Sequence, residues 1–398
     1  MPHRIRTPGA ATTIAPPASR TATPATLLGG RTVAAFLQVF WQKEALLVRN
    51  SIPGFTGAFD RAGLLALAER DDVESRLVVR DGLQWTLVHG PFSRRDWKAL
   101  PARNWTLLVQ GVNLQSDIAD ALLRRFSFVP YTRLDDLMVS YAVPGGGVGP
   151  HFDSYDVFLL QGSGRRRWKY GRQDDLTLQP GLPVKILKRF VPEHDEVLGP
   201  GDMLYLPPHY AHDGIAVTEC TTWSIGFRAA STNEMAAAFL DFLRDELDLP
   251  GRYADPDLAP TRAPARIDAA MRRQCSRMIK AIRWDTATVA RFVGCWLSEP
   301  KPQVFFEPPA RPRSRSAFAS AAARHGVRLN PRTQLLYDDR HLFVNGAAVP
   351  WPSAGAPVLA RLANARMLAP RAAVSLPAPA AALLYDWYCH GYLHTDRV

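Results

Sequence analysis

Residues 147–171 read GVGPHFDSYDVFLLQGSGRRRWKYG, and this stretch decides the reading of the whole chain. It sets a histidine and an aspartate one residue apart, follows them with an apolar run, and closes on three consecutive arginines. In an extended strand, side chains two residues apart share a face, so His151 and Asp153 are expected at the start of a strand with both groups available to one metal ion. By the same alternation Arg166 points away from Arg165 and Arg167. One environment must then accept a single guanidinium. If that environment is the interior, an anionic ligand is the natural partner, because a buried unpaired charge is prohibitive.

A His-x-acid pair alone is weak. Ten histidines and 37 acidic residues give about one such pair by chance, and the chain has three: His151/Asp153, His194/Glu196 and His394/Asp396. Context separates them. Downstream, GDMLYLPPHYAHDG (201–214) offers a second histidine after a Gly-Asp strand and a Pro-Pro turn. His212 is the preferred third ligand and His209 the reserve. Two His and one carboxylate on one octahedral face make a non-haem Fe(II) site with open positions for a co-substrate and dioxygen. His194 reads as part of a solvated loop and His394 as a chain-end residue. Asp386, His390 and His394 recur every four residues, but Gly391 interrupts that helix and the trio reads as surface chemistry.

The flanking sequence supports several domains. The 398 residues, 47% of them apolar, exceed one average core. No apolar run is long enough to span a membrane. Cys220, Cys275, Cys295 and Cys389 form no CxxC or zinc-type spacing, which favours a reducing cytoplasm. The net charge of +11 raises the question of an anionic partner without answering it. Residues 1–30, rich in Pro, Ala and Thr, read as a disordered extension. Between 31 and 229, ALLVRN, RLVVRD, WTLVHG, DDLMVSYAVP, YDVFLLQG, RRRWKYG, GDMLYLPP and TTWSIGFRA read as closely spaced strands, the pattern of a jelly-roll, with a helix (TVAAFLQVFWQ) ahead of them. Residues 230–305 read as three helices, opened by a capping box at Ser231/Glu234, with Val289, Phe292, Val293, Trp296 and Leu297 at helical spacing. After a Pro-rich link, residues 306–398 read as a small α+β module of winged-helix type, with two strand-like runs in TQLLYDDRHLFVNGAAVP.

The ordered set DDLMVSYAVPGGGVGPHFDSYDVFLLQGSGRRRWKYG, GDMLYLPPHYAHDG and WSIGFRA, with FWQKEALLVRN, SRLVVRDG and HGPF before and between them, resembles the JmjC-type 2-oxoglutarate oxygenases, in particular their bacterial ribosomal-oxygenase branch. The resemblance spans residues 31–398. It implies an α+β multidomain chain: a double-stranded β-helix (cupin/JmjC) catalytic domain, a helical dimerisation domain and a C-terminal winged helix. It implies His151, Asp153 and His212 as Fe(II) ligands and Arg166 as the anchor of the 2-oxoglutarate co-substrate. Asp135 and Ser224 match positions that line the substrate pocket. The implied reaction uses O2 to hydroxylate the β-carbon of an arginine in the sixteenth large-subunit ribosomal protein, in the cytoplasm, by a homodimer.

Two departures from relatives affect the second layer of the site. Ala142 stands where relatives carry a serine, a hydroxyl that Ser140 could supply to the co-substrate. Thr222 stands where relatives carry an asparagine. Two alternatives remain at this stage. The same chemistry could act on a histidyl or methyl-lysyl protein substrate, or the chain could be a nucleic-acid-binding regulator with a degenerate cupin. The second is disfavoured because the last helix, PAPAAALLYDWYCHGYL, is mostly apolar, so direct nucleic-acid binding is not expected. A partner surface is expected on the Phe292/Trp296 face.

Overall fold

The structure is a computed structural model that describes residues 24–374 and 376–395. Eleven strands build the first part of the chain: β1 (Leu46–Val48), β2 (Ser75–Asp81), β3 (Gln84–His89), β4 (Trp105–Val109), β5 (Leu134–Ala142), β6 (Val157–Gln161), β7 (Arg166–Arg172), β8 (His194–Leu198), β9 (Met203–Leu206), β10 (Tyr210–Ala216) and β11 (Cys220–Phe227). Eight form one sheet in the order β1-β9-β6-β11-β5-β4-β2-β3, and β10-β7-β8 form a second. All their pairings are antiparallel.

Strand β6 shows how the large sheet is covered on both faces. Val157 and Leu159 pack with Trp168, Tyr170, Leu204 and Leu206 between the sheets. Phe158 and Leu160 point the other way, into a larger core with Leu137, Val139, Trp223, Ile225 and Phe227. Five helices contribute to that outer side: α1 (Pro24–Leu27), α2 (Val33–Val39), α3 (Arg61–Ala68), α4 (Arg94–Lys98) and α5 (Asp117–Arg124). Burial on both faces explains why the run Val157 to Leu160 in β6 is continuously apolar rather than alternating.

Three of the eleven strands are absent from the eight runs read in the sequence. Strands β4 and β10 were not among those runs, and the HDEVL segment around His194 is strand β8 rather than a loop. Strand β8 lies at the end of its sheet, and His194 stacks on Tyr170 with ring centroids 4.8 Å apart. Its polar composition is what an unpaired sheet edge favours, so it mimics a loop in sequence. Most of the expected disordered extension, residues 1–23, lies outside the described residues. The remainder of it is ordered: Leu27 and Leu28 are wholly buried, and the Leu27 carbonyl accepts from Ser51 Oγ at 3.0 Å. Two adjacent leucines supply enough apolar area to hold this short turn against the core.

Beyond residue 230 come α6 (Thr232–Glu246), α7 (Ala269–Ile279) and α8 (Thr286–Ser298). Ser231 and Glu234 form the reciprocal capping box at the start of α6. Phe292 on α8 is buried and packs on Phe239 and Phe242, with Trp296 stacked 5.7 Å from it. The Phe292/Trp296 face is therefore an internal contact, not the free partner surface expected. Helical spacing finds an apolar face but not what covers it.

The last part holds α9 (Arg315–His325), β12 (Val327–Leu329), β13 (Leu335–Tyr337), β14 (His341–Val344), β15 (Ala347–Pro350), α10 (Ala356–Ala365), β16 (Met367–Leu368), α11 (Pro370–Val374), α12 (Ala378–Cys389) and β17 (Leu393–His394). The expected two strand-like runs are a three-stranded meander, β13-β14-β15. Helix α8 lies on it so closely that a Cβ on Gly294 would meet the Phe343 ring at 2.2 Å. This part also docks on the jelly-roll part: Tyr131 Oη donates to the Asn364 carbonyl at 2.8 Å, and Arg332 donates to Gln115 at 3.1 Å.

Candidate metal and co-substrate site

His151 is not in a strand, contrary to the sequence expectation. It forms an isolated antiparallel bridge with His212, the two residues exchanging backbone hydrogen bonds of 2.9 and 2.8 Å, and Asp153 follows in the loop before β6. The cause lies in the preceding turn. Gly149 has a φ of +82°, and a Cβ there would lie 2.9 Å from Ile186, so the chain turns sharply into the bridge, beyond which the Asp153 carbonyl accepts from the His209 N–H at 2.8 Å. The bridge still sets the two imidazoles side by side, with ring centroids 4.2 Å apart.

His151, Asp153 and His212 offer ligand atoms that all lie within 4.8 Å of one another, the one such group among the described residues. Each histidine has its Nδ1 within hydrogen-bond range of a backbone carbonyl, that of Gly149 at 2.8 Å for His151 and that of Tyr210 at 2.9 Å for His212. When Nδ1–H donates there, the Nε2 lone pair of each ring is left for a metal. Burial, with His151 alongside, pulls the His212 pKa down to about 4, so this ring stays neutral and ready to ligate near neutral pH. His209 is exposed on the turn, with a φ of +66°, and takes no part in the cluster. His390 holds to its own helix through the Asp386 carbonyl, and Gly391 follows with a φ of +77°.

A cavity of about 290 Å³ opens beside this cluster. Leu159, Trp168 and Met138 give it apolar walls, and Arg166, Ser140, Thr222 and Ser224 supply polar groups. Arg166 starts β7 and is 4% exposed, while Arg167 turns outward to Asp195 at 2.6 Å. The Arg166 guanidinium lies 5.7 Å from the Trp168 ring centroid. Its Nε and one Nη are buried with no hydrogen-bond partner. A two-histidine, one-carboxylate donor set beside an orphaned guanidinium fits a divalent metal with a carboxylate-bearing co-substrate. Ser140 is buried and faces this space, its hydroxyl 3.5 Å from the Thr222 carbonyl, while Thr222 donates to Gln161 at 3.2 Å. Ala142 packs with Ala216 and Cys220.

The cavity mouth is acidic. Met138 and Ser140 on β5 face inward, and alternation from them reaches Asp136, not Asp135 alone. Both aspartates line the opening. Asp136 is 6% exposed and accepts from the Gly111 N–H at 3.1 Å. Burial pushes its pKa up, with Lys301 pulling the other way and Asp135 adding to the rise. Lys301, from the link after α8, reaches Asp135 at 3.3 Å and Asp136 at 3.5 Å, and Arg228 reaches Asp135 at 3.5 Å. Burial works against the charge on Lys301, but the two aspartates outweigh it and hold its pKa above the usual lysine value. Asp136 was legible from the two-residue period. Lys301 was not, because no local pattern reports a contact 166 residues away.

Residues 121–235 match the JmjC domain family model and residues 281–394 the ROXA-like winged helix. The chain is 37% identical over 281 residues to the ribosomal protein uL16 3-hydroxylase of Escherichia coli, covering 70% of this chain and 74% of that one. A probable ribosomal oxygenase of Haemophilus influenzae is 38% identical over 227 residues, 56% of this chain and 54% of that protein. The structure of YcfD, a ribosomal oxygenase from Escherichia coli in complex with cobalt and 2-oxoglutarate, superposes with a TM-score of 0.76 at 31% identity, covering 92% of this chain and 98% of that one. The chain belongs to the JmjC-domain ribosomal oxygenases, with a cupin-type catalytic part and a ROXA-like winged helix.

Proposed function

We propose that this chain is an Fe(II)- and 2-oxoglutarate-dependent protein hydroxylase that adds a hydroxyl to the β-carbon of an arginine in the large-subunit ribosomal protein uL16. The observation that carries the reading is the juxtaposition of the His151, Asp153 and His212 ligand atoms with the orphaned guanidinium of Arg166 on one cavity. When bound, Fe(II) and 2-oxoglutarate together supply the oxidation by O2 that places a hydroxyl on a C–H bond.

The residues of the chain do the positioning. His151, His212 and Asp153 hold the metal from one side and leave the cavity side open. Arg166 receives the distal carboxylate of the co-substrate through its paired N–H groups, with Ser140 and Thr222 alongside. The Val157, Leu159 and Trp168 walls exclude water and strengthen those contacts. Asp135, Asp136 and Ser224 receive the substrate guanidinium at the mouth and so place its β-carbon within reach. Carboxylates that Lys301 and Arg228 engage here can exchange those cations for a substrate guanidinium but not for a neutral imidazole, which supports arginine over a histidyl substrate.

The same reading takes the working form as a homodimer in the cytoplasm. The apolar residues left exposed on and beside α7, including Met271, Met278 and Ile279, are those a second copy would cover. The three parts named from the sequence, 31–229, 230–305 and 306–398, are retained as catalytic, dimerisation and winged-helix units. Among the described residues no helix is long and apolar enough to cross a membrane.

The test is mass spectrometry of a uL16 peptide incubated with the protein, Fe(II), ascorbate and 2-oxoglutarate, with His212→Ala in parallel. Wild type is expected to add the mass of one oxygen to the arginine, and the variant to add none. Succinate formation without peptide oxidation would retain the oxygenase and reject this substrate. No succinate at all would leave the degenerate-cupin regulator standing.

A further inference from the structure

Much of the chain's positive charge sits where neither the catalytic site nor the winged helix uses it. Residues 262–283 carry seven basic side chains (Arg262, Arg266, Arg272, Arg273, Arg277, Lys280 and Arg283) against one acid, Asp268, and the whole chain is +11. Asp268 is engaged as the N-cap of α7, accepting from the Met271 N–H. No residue of α7 is buried. Among the described residues, no carboxylate lies within ion-pair range of Arg272, Arg273, Arg277 or Lys280.

The helix sorts these groups cleanly. At 100° per residue Met271, Cys275, Met278 and Ile279 gather on one side, and Arg273, Arg277 and the C-cap residue Lys280 form a row opposite at i, i+4 and i+7. That row spans about 10 Å, and Arg272 and Ser276 flank it on the exposed surface of the helix. If the apolar side is covered by a second copy, the basic row remains in solvent.

We propose that the basic face of α7 is a docking site for RNA, gripping the phosphate backbone without reading sequence. Arginine outnumbers lysine on the face, and the guanidinium fork matches phosphate oxygens bidentately. A charge row with no carboxylate partners is the footprint of polyanion binding, and its spacing suits successive phosphates better than a single small anion. RNA is favoured over an anionic membrane because the opposite, apolar side holds no aromatic anchor within the helix. The choice of RNA also rests on the ribosomal substrate reading, since such a substrate is met among RNA phosphates. The docking face lies outside the winged helix, whose apolar last helix led the sequence to argue against nucleic-acid binding.

The test is fluorescence anisotropy of a labelled RNA hairpin of mixed sequence with the full-length protein across a salt series. It compares wild type, the triple variant Arg273→Gln/Arg277→Gln/Lys280→Gln, and a control that removes three cations elsewhere, Arg94→Gln/Arg95→Gln/Lys98→Gln. The expected result is salt-sensitive binding whose log–log slope falls by about 2–3 in the α7 variant only, with turnover of the free uL16 peptide unchanged. An unchanged slope in the α7 variant, an equal fall in the α4 control, or binding to phosphatidylserine vesicles but not to RNA would each overturn the proposal. The α7 substitutions keep good helix formers in place, and peptide turnover reports that the variant is folded. Failure of peptide hydroxylation with RNA binding intact would reject the substrate reading and leave the docking face.

Discussion

The molecule buries two arginines among its described residues, and they are opposites. Arg366, in the winged-helix part, donates to the backbone carbonyls of Thr333 at 2.9 Å and Asn330 at 2.8 Å and lies 3.6 Å from Asp120 of the catalytic part. Arg166, in the jelly-roll, meets an indole face and an empty-sided cavity, with two nitrogens unpartnered. Both are too costly to bury for no return. Arg366 finds carbonyl partners for both of its Nη groups within the fold, and its Nε, though without a hydrogen bond, faces Asp120, so it belongs to stability. Arg166 has two nitrogens without a partner in the fold, and in the proposed function the co-substrate supplies it. Satisfaction of the guanidinium, rather than its burial, separates the two roles.

The contrast can be broken most directly at Arg166. Replacement by Met should lower kcat/KM for 2-oxoglutarate by about 10²-fold or more, the usual consequence of removing one side of a buried charge pair. The metal-free, co-substrate-free protein should meanwhile melt no lower than wild type, because an uncompensated charge has been taken out of the interior. A large fall in Tm would show that Arg166 has partners within the fold and end the comparison.

Arg366→Met should do the reverse. It leaves several carbonyls and Asp120 without their donor, at a cost of roughly 3 kcal/mol in unfolding measurements. Turnover per folded molecule should persist. Lost activity at full stability would contradict the structural role.

The metal ligands sharpen the same distinction through pH. The His212 pKa is about 4 in the folded chain, below its ordinary value, so the unfolded chain binds more protons between the two. In metal-free protein this contribution is whole above about pH 6.5 and is lost as pH falls towards 4, up to roughly 3 kcal/mol. Urea titrations across that window should show stability falling with acid, and His212→Gln should flatten that part of the profile.

The smallest effect is expected next door to the largest. Arg167→Ala removes an exposed ion pair with Asp195 and should change neither Tm nor turnover measurably. A loss comparable to that at Arg166 would mean that strand alternation does not sort these arginines.

That alternation explains which features were legible. The period of two placed Arg166 inward from its neighbours alone, and the short apolar runs between turns marked most of the large sheet. The His-x-Asp and His212 segments pointed to one another because both sit at turns that sequence marks with Gly and Pro. What failed to show was whatever depends on distant partners. The polar edge strand β8 looked like a loop, Leu27 and Leu28 looked like part of a tail, and Phe292 looked free until Phe239 and Phe242 covered it. The strand geometry expected for His151 and Asp153 gave way to a single bridge, yet their proximity survived because the bridge to His212 fixes it.

Lys301 gives the order of events in synthesis a chemical meaning. Asp135 and Asp136 are made early, but the lysine that faces them follows some 165 residues later, beyond α8. Until that link is made, the two adjacent carboxylates are without this cation, which opposes the rise that burial and Asp135 give to the Asp136 pKa. The entrance is thus completed by a residue made well after His151, Asp153 and His212, so the doorway and the metal-binding group are drawn from different stages of the chain.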